Sequence, residues 1–263
     1  MGLNLPAKLK DCHSTVAENC ELFIVEGDSA GASASSGREP DYQAVLPLRG
    51  KILNVINVEV EKMLANAEIR SLISAIGAGY QNNFDLSKLR YHKVIIMTDA
   101  DLDGGHIRVL LIVFFWRMMK EMVRAGHLYV ATPPLYRIKK GDKVERFLLD
   151  IAALQAWVRE EMEKQYELPP DWVYDPEDSE TLELALRGRT IDRIKGLGEM
   201  NDKDLFETTM DRNNRSLIRV CIPEDMSDEE VEAHLQLLMG GDRTVKERKA
   251  FICEKALFAD TEI

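Results

Sequence analysis

The sequence predicts an α/β fold in which helices flank a mainly parallel β-sheet. Two apolar runs of strand length, at residues 21–25 and 93–98, each end abruptly in a loop that contains acids and glycine. A helical pattern follows each loop, and repeated strand–loop–helix units are typical of a doubly wound parallel sheet. A third strand is predicted at residues 127–131. Such sheets bind ligands at the carboxyl ends of their strands, so we expect both acidic loops at the same edge.

The bulk composition describes an ordinary globular protein. The chain has 263 residues, of which 45% are hydrophobic and 30% charged, so it can bury the core of one large or two smaller domains. The net charge of −11 argues against a protein that holds nucleic acid by bulk charge. It does not exclude a DNA enzyme, because local basic patches can contact phosphates beside an acidic site.

Neither a zinc site nor a membrane segment is predicted. Cys12, His13 and Cys20 lie close together, but a fourth ligand at zinc-like spacing is missing, so we expect reduced thiols in a cytosolic protein. Residues 1–11 lack the apolar segment of a signal peptide. The apolar run at 107–119 contains two arginines and is shorter than the roughly 20 residues that cross a bilayer, which predicts a buried helix.

The pattern changes after Leu135 and predicts a smaller α+β tail domain. Its predicted elements are a basic hairpin (136–143), a polar helix (152–166), a surface loop (168–180), a helix from a capping box at Ser227 to Leu238, and a last helix from about Thr244. We therefore divide the chain into a connector (1–20), an α/β domain (21–135) and a tail domain (136–263).

The strongest chemical signal is Asp99-x-Asp101-x-Asp103-Gly, which directly follows the second predicted strand. Three neighbouring carboxylates repel one another unless a cation is bound, and hard oxygen ligands suit Mg²⁺. An EF-hand calcium loop begins in the same way, but it needs a glutamate at its twelfth position, where this chain has Leu110. A solvated turn whose aspartates cap the next helix is the remaining structural interpretation.

Glu26 follows the first predicted strand and alone would be an ordinary loop acid. If the two strands are neighbours, its carboxylate meets the Asp99 cluster at the edge of the sheet. It can then act as a general acid or base, or complete a metal site. Three basic residues flank this region in the sequence and could neutralise phosphates, namely Arg38, Arg49 and Lys51.

Six motifs occur in order over nearly the whole chain. They are Glu-Gly-Asp-Ser-Ala-Gly (26–31), Leu-Pro-Leu-Arg-Gly-Lys-Ile-Leu-Asn (46–54), Tyr-His-Lys (91–93), Met-Thr-Asp-Ala-Asp-Leu-Asp-Gly-Gly-His-Ile-Arg (97–108), Pro-Pro-Leu-Tyr (133–136) and Lys-Gly-Leu-Gly-Glu-Met (195–200). Together they resemble the B subunits of bacterial type IIA DNA topoisomerases, that is, of DNA gyrase and topoisomerase IV. The resemblance implies a TOPRIM domain, which is a Rossmann-like parallel sheet flanked by helices, followed by the tail domain.

The resemblance also implies the catalytic residues. By it, Glu26, Asp99 and Asp101 hold Mg²⁺ and organise DNA cleavage and religation, and Asp103 is a secondary ligand. Mn²⁺ or Ca²⁺ can substitute for Mg²⁺. The nucleophilic tyrosine belongs to the A subunit in this family, so no tyrosine of this chain is assigned that role.

Contacts with DNA and with inhibitors are implied on the same ground. Lys51, Asn54 and Arg49 match positions that bind DNA, and Asp28 and Arg49 match positions that line the pocket of quinolone-like inhibitors. The family also places the loop that contains Lys-Gly-Leu-Gly (195–198) near the acidic site.

The partners that the family implies are double-stranded DNA and a topoisomerase A subunit, in an A2B2 heterotetramer without membrane contact. We expect a cytoplasmic, nucleoid-associated bacterial protein. The family's ATPase domain has no counterpart in the sequence, so we expect a fragment of an ATP-dependent topoisomerase in which only the full-length parent binds ATP. The alternatives are a stand-alone TOPRIM nuclease or primase, or a non-catalytic nucleic-acid-binding module.

Overall fold

The computed structural model describes residues 5–256, which form eight β-strands and ten α-helices. The strands are β1 (Glu21–Glu26), β2 (Gln43–Leu48), β3 (Lys93–Met97), β4 (Leu128–Ala131), β5 (Tyr136–Lys140), β6 (Lys143–Leu148), β7 (Thr190–Arg193) and β8 (Leu217–Arg219). The helices are α1 (Asp28–Gly37), α2 (Val60–Ala65), α3 (Ala67–Ile76), α4 (Leu102–Met118), α5 (Lys120–Arg124), α6 (Ile151–Glu163), α7 (Ser179–Leu186), α8 (Asp202–Leu205), α9 (Asp228–Met239) and α10 (Val245–Ala256). A short 3₁₀ helix spans Leu197–Glu199, and a π-helical turn spans Phe206–Met210.

The main sheet has five strands in the order β2-β1-β3-β4-β8. Strand β1 pairs in parallel with both β2 and β3, and β3 pairs in parallel with β4, whereas β8 is antiparallel to β4 and forms one edge. The predicted parallel α/β sheet is confirmed. Because β1 and β3 are neighbours with Val25 opposite Met97, the two acidic loops leave the sheet side by side.

Strand β2 differs from the sequence prediction, which contains no strand between residues 43 and 48. Pro47 lies inside this strand, and proline cannot donate a hydrogen bond to a sheet, so the pattern argues against a strand here. The structure places β2 at the edge of the main sheet, where a missing N–H is tolerated. Arg49 and Lys51, two of the basic residues named above, lie within three residues of the end of this strand.

Apolar side chains cover both faces of the main sheet, which is why its strands are continuous apolar runs. Leu22 and Ile24 of β1 belong to the core under α3 and α4, whereas Phe23 and Val25 belong to the core under α1. Helix α4 includes residues 107–118 of the predicted buried helix (107–119), and its residues from Phe114 to Trp116 are almost fully buried. Among residues 5–256, no helix combines the length and the apolarity that a membrane span requires.

The tail has a core of its own and also completes the main core. Strands β5, β6 and β7 form an antiparallel sheet with α6 and α7 packed against it, and the predicted hairpin turns at Gly141 with a φ of 60°. The later tail residues Leu197, Met200 and Leu205 are buried instead in the core under α1. The tail therefore reaches the main sheet, and the domain boundaries given above stay a prediction.

Candidate metal centre

Two acidic loops meet at the carboxyl ends of β1 and β3. Glu26 is the last residue of β1, and Asp99 lies two residues after the end of β3. The Oε2 atom of Glu26 accepts a hydrogen bond of 3.2 Å from the backbone N–H of Asp99. The two acidic loops are therefore in direct contact at the edge of the sheet, as the sequence predicts.

Local backbone requirements explain the glycines of both loops. Gly27 has a φ of 82°, which lets the chain turn directly from Glu26 into α1. Asp101 is the N-cap of α4, and its Oδ1 atom accepts a bond of 2.7 Å from the N–H of Gly104. A Cβ atom at position 104 would lie 2.2 Å from the backbone oxygen of Asp99, so only glycine fits there. The spacing of the acidic motif therefore serves helix capping and close packing.

The electrostatics of Glu26 and Asp99 favour a bound cation. Partial burial raises the pKa of Glu26, and the negative charges of the neighbouring aspartates at 99, 101 and 103 raise it further. Partial burial also raises the pKa of Asp99, with contributions from Asp101 and Glu199. Both carboxylates thus carry charge that their surroundings do not neutralise.

Asp103 and Asp28 differ from Glu26 and Asp99, because each forms an ion pair with a basic residue from the segment after β2. The Nζ atom of Lys51 lies 2.6 Å from Asp103 Oδ1, and this hydrogen bond lowers the pKa of Asp103. The Nε atom of Arg49 lies 3.2 Å from Asp28 Oδ2. All four side chains are exposed, so Lys51 and Arg49 stand at the acidic edge as the sequence suggests.

Two other residues proposed from the sequence make contacts within the protein. The amide of Asn54 donates a bond of 2.9 Å to the backbone oxygen of Met239 and accepts one of 3.1 Å from the N–H of Ile56. Arg38 donates to the backbone oxygens of Gln43, at 3.1 Å, and of Ser35. The guanidinium of Arg38 therefore braces the end of α1 and does not face the acidic loops.

The tail supplies a third segment to this site. The N–H of Leu197 donates a bond of 2.8 Å to Asp99 Oδ1, although the two residues are 98 positions apart. The family resemblance places this loop near the acids, and the structure confirms that placement. The specific contact and the influence of Glu199 on Asp99 were not predicted, because no local pattern encodes a pairing of such separation.

Comparison with known proteins gives the family. A family model of the Toprim domain matches residues 21–133, and a model of the carboxyl terminus of the DNA gyrase B subunit matches residues 187–253. The DNA gyrase B subunit of Enterococcus faecalis is 47% identical over 253 residues, which cover 96% of this chain. Those of Thermus thermophilus and of Streptococcus pyogenes serotype M3 are 46% and 44% identical and cover 98% and 99% of the chain. The chain therefore contains a Toprim domain followed by a domain of the gyrase B carboxyl-terminal family.

The match covers only part of each gyrase B relative. The chain spans 36% of the length of the E. faecalis protein and 37% of the other two. The predicted similarity to type IIA topoisomerase B subunits and the predicted TOPRIM fold are both confirmed. Glu26, Asp99 and Asp101 lie in the Toprim match, whereas Leu197 lies in the gyrase B carboxyl-terminal match.

The donor set of the Toprim site fits a hard divalent cation. All its side-chain donors are carboxylate oxygens, and one oxygen of Glu26, of Asp99 and of Asp101 is already bonded to a backbone N–H. In the part of the chain that the structure describes, no three His, Cys, Asp or Glu residues are close enough to enclose a metal by themselves. Mg²⁺ keeps several waters and uses one or two carboxylates together with substrate phosphates, so an open site of this kind suits it.

Proposed function

We propose that this chain is the metal-binding part of a type II DNA topoisomerase that cuts and rejoins double-stranded DNA together with an A subunit. The observation that carries the proposal is the meeting of Glu26 with the Asp99 loop at neighbouring strand ends, where the pKa of both acids is raised. The gyrase B family supports the same conclusion. The relatives are named as subunits, which fits a chain that works with partners.

Glu26, Asp99 and Asp101 would hold Mg²⁺, for which Mn²⁺ or Ca²⁺ can substitute, and Asp103 would be a secondary ligand. When bound, a divalent ion supplies electrostatic stabilisation to the scissile phosphate and the leaving oxygen. The chain's own contribution is orientation, because backbone N–H groups fix one oxygen of each of the first three carboxylates. The other oxygen of each carboxylate is then available to a ligand.

Lys51 and Arg49 would bind DNA phosphates beside the metal. Lys51 offers a point charge and Arg49 a two-pronged donor, and both are exposed at the acidic edge. Asn54 would bind DNA only after its amide leaves the backbone oxygen of Met239. Asp28 and Arg49, which already contact each other, would line the pocket of quinolone-like inhibitors.

The remaining parts of the reaction would come from elsewhere. The A subunit would supply the nucleophilic tyrosine within an A2B2 heterotetramer, and ATP would bind only to the full-length parent. The enzyme would act in the bacterial cytoplasm, on the nucleoid.

A plasmid cleavage assay tests the proposed function. The chain is mixed with its cognate A subunit, supercoiled DNA and Mg²⁺ without ATP, and the reaction is stopped with detergent. We expect linear DNA with protein covalently attached to its 5′ ends, and only when both proteins and the metal are present. Cutting by the chain alone would indicate a nuclease, and DNA binding without any cutting by the pair would indicate a binding module.

A further inference from the structure

Both oxygens of the Asp99 carboxylate lie beside a loop of the tail, which spans residues 194–200. The N–H of Leu197 bonds Oδ1 at 2.8 Å. A Cβ atom built on Gly196 would lie 3.0 Å from Oδ2 and 3.2 Å from the carboxyl carbon. The Asp99 carboxylate can occupy this position because Gly196 has no side chain.

This loop is fixed to the same core as the strands that carry the acids. Ile194, Leu197 and Met200 are each at most 3% exposed, and they share a core cluster with Val25 and Met97. A 3₁₀ turn closes the loop, in which the N–H of Met200 bonds the backbone oxygen of Leu197. The loop and the acidic strand ends thus have a common, rigid base, which is what a precise binding site requires.

We propose that Gly196 and the N–H of Leu197 position the Asp99 carboxylate for metal binding. The inference rests on the proposed function, because it assigns Gly196 and Leu197 to the same metal site. The N–H occupies Oδ1 and orients the carboxylate plane, and the missing side chain at Gly196 leaves space beside Oδ2 for the ion. Gly196 acts as a positioning residue, because only a residue without a side chain leaves that orientation undisturbed.

The metal site is then a composite of two domains. The acids come from the Toprim match at residues 21–133, and the positioning loop comes from the gyrase B carboxyl-terminal match at residues 187–253.

A pair of glycine substitutions in the complete chain tests the proposal. Gly196→Ala forces the carboxylate to shift by a few tenths of an ångström, whereas a Cβ at Gly198 meets only Ser29 Oγ at 3.7 Å, which is ordinary contact. Mn²⁺ affinity is measured by calorimetry, and thermal unfolding is measured in EDTA. We expect Gly196→Ala to weaken Mn²⁺ binding about 10-fold or more and Gly198→Ala to bind as the wild type does.

A metal-free measurement guards against a variant that folds poorly. Hydrogen exchange at the Leu197 amide should be slow in the wild type and at least several-fold faster in Asp99→Ala, because the acceptor is gone. The positioning role would be overturned by unchanged hydrogen exchange of the Leu197 amide in Asp99→Ala. It would also be overturned if Gly196→Ala bound Mn²⁺ as the wild type does, or if both glycine variants lost Mn²⁺ affinity equally. If the wild type binds no Mn²⁺, or if Asp99→Asn binds Mn²⁺ as the wild type does, the proposed metal site itself is wrong. That result differs from one in which only Gly196→Ala behaves as the wild type does.

Discussion

Replacing Asp99 with Asn is expected to abolish metal-dependent DNA cleavage while leaving the metal-free chain at least as stable as the wild type. Asparagine keeps the oxygen that accepts the bond from the Leu197 N–H, so the loop contact survives. It removes a negative charge that metal binding needs. Because a ligand charge of this kind is lost, cleavage in the presence of the A subunit should fall about 100-fold or more.

The difference in stability between the wild type and this variant should depend on pH in a defined direction. Burial and the charges of Asp101 and Glu199 raise the pKa of Asp99, so its ionised form weakens the fold. In the wild type, the stability that protonated Asp99 contributes is therefore lost as the pH rises through the unfolded pKa of about 3.9 and then the folded pKa. The Asp99→Asn variant has no such loss, because its side chain does not titrate. Thermal unfolding in EDTA from acid to neutral pH measures the difference, with the exposed acid in Asp225→Asn as the control. Retained cleavage, or a metal-free variant that is clearly less stable, would contradict the assigned role of Asp99.

Replacing Glu21 with Gln should strongly destabilise the fold without touching the metal site. Glu21 is 1% exposed at the start of β1, and both its oxygens accept bonds of 2.6 Å from Arg215, whose side chain is 6% exposed. Arg212 adds a contact of 3.1 Å. Glutamine would leave the guanidinium of Arg215 buried without its counter-charge, which should lower the free energy of unfolding by about 3–5 kcal/mol. Urea unfolding at neutral pH measures this change, with the exposed residue in Glu224→Gln as the matched control.

The same ion pair predicts acid sensitivity. Burial alone would raise the pKa of Glu21, but the hydrogen bonds and charge of Arg215 outweigh it, so the pKa lies below its usual range. An acid with a lowered pKa stabilises the fold above its unfolded value of about 4.3, and this stability is lost as the pH falls through the folded value. Below about pH 4 the wild type should therefore approach the Gln variant in stability. A loss of less than about 1 kcal/mol at neutral pH would show that the pair contributes little.

Local patterns were sufficient to predict the centre of the fold and the identity of its acids. Strand β1 ends at an acid and β3 ends two residues before one, and both are mainly apolar runs. The capping box at Ser227 begins α9 as expected. The acidic motif is predicted to bind a metal because its carboxylates directly follow a buried strand. Each of these features depends on residues that are adjacent in sequence, which is the range that periodicity and capping rules describe.

Features that depend on distant pairings could not be predicted in this way. Strand β2 contains Pro47, and β8 has only three residues, so neither has a clear pattern of its own. The partner of Asp103 is Lys51, from a loop whose position is set by the unpredicted strand β2. The bond from Leu197 to Asp99 depends on how the tail packs against α1, which no local pattern contains.

Anomalous diffraction from crystals of the 263-residue chain grown with Mn²⁺ would show whether these acids bind a metal. We expect one strong anomalous peak in contact with carboxylate oxygens of Glu26, Asp99 or Asp101, and no such peak in Asp99→Asn. Crystals that bind Mn²⁺ only elsewhere, or not at all at millimolar metal, would contradict the assignment of these acids as the metal site.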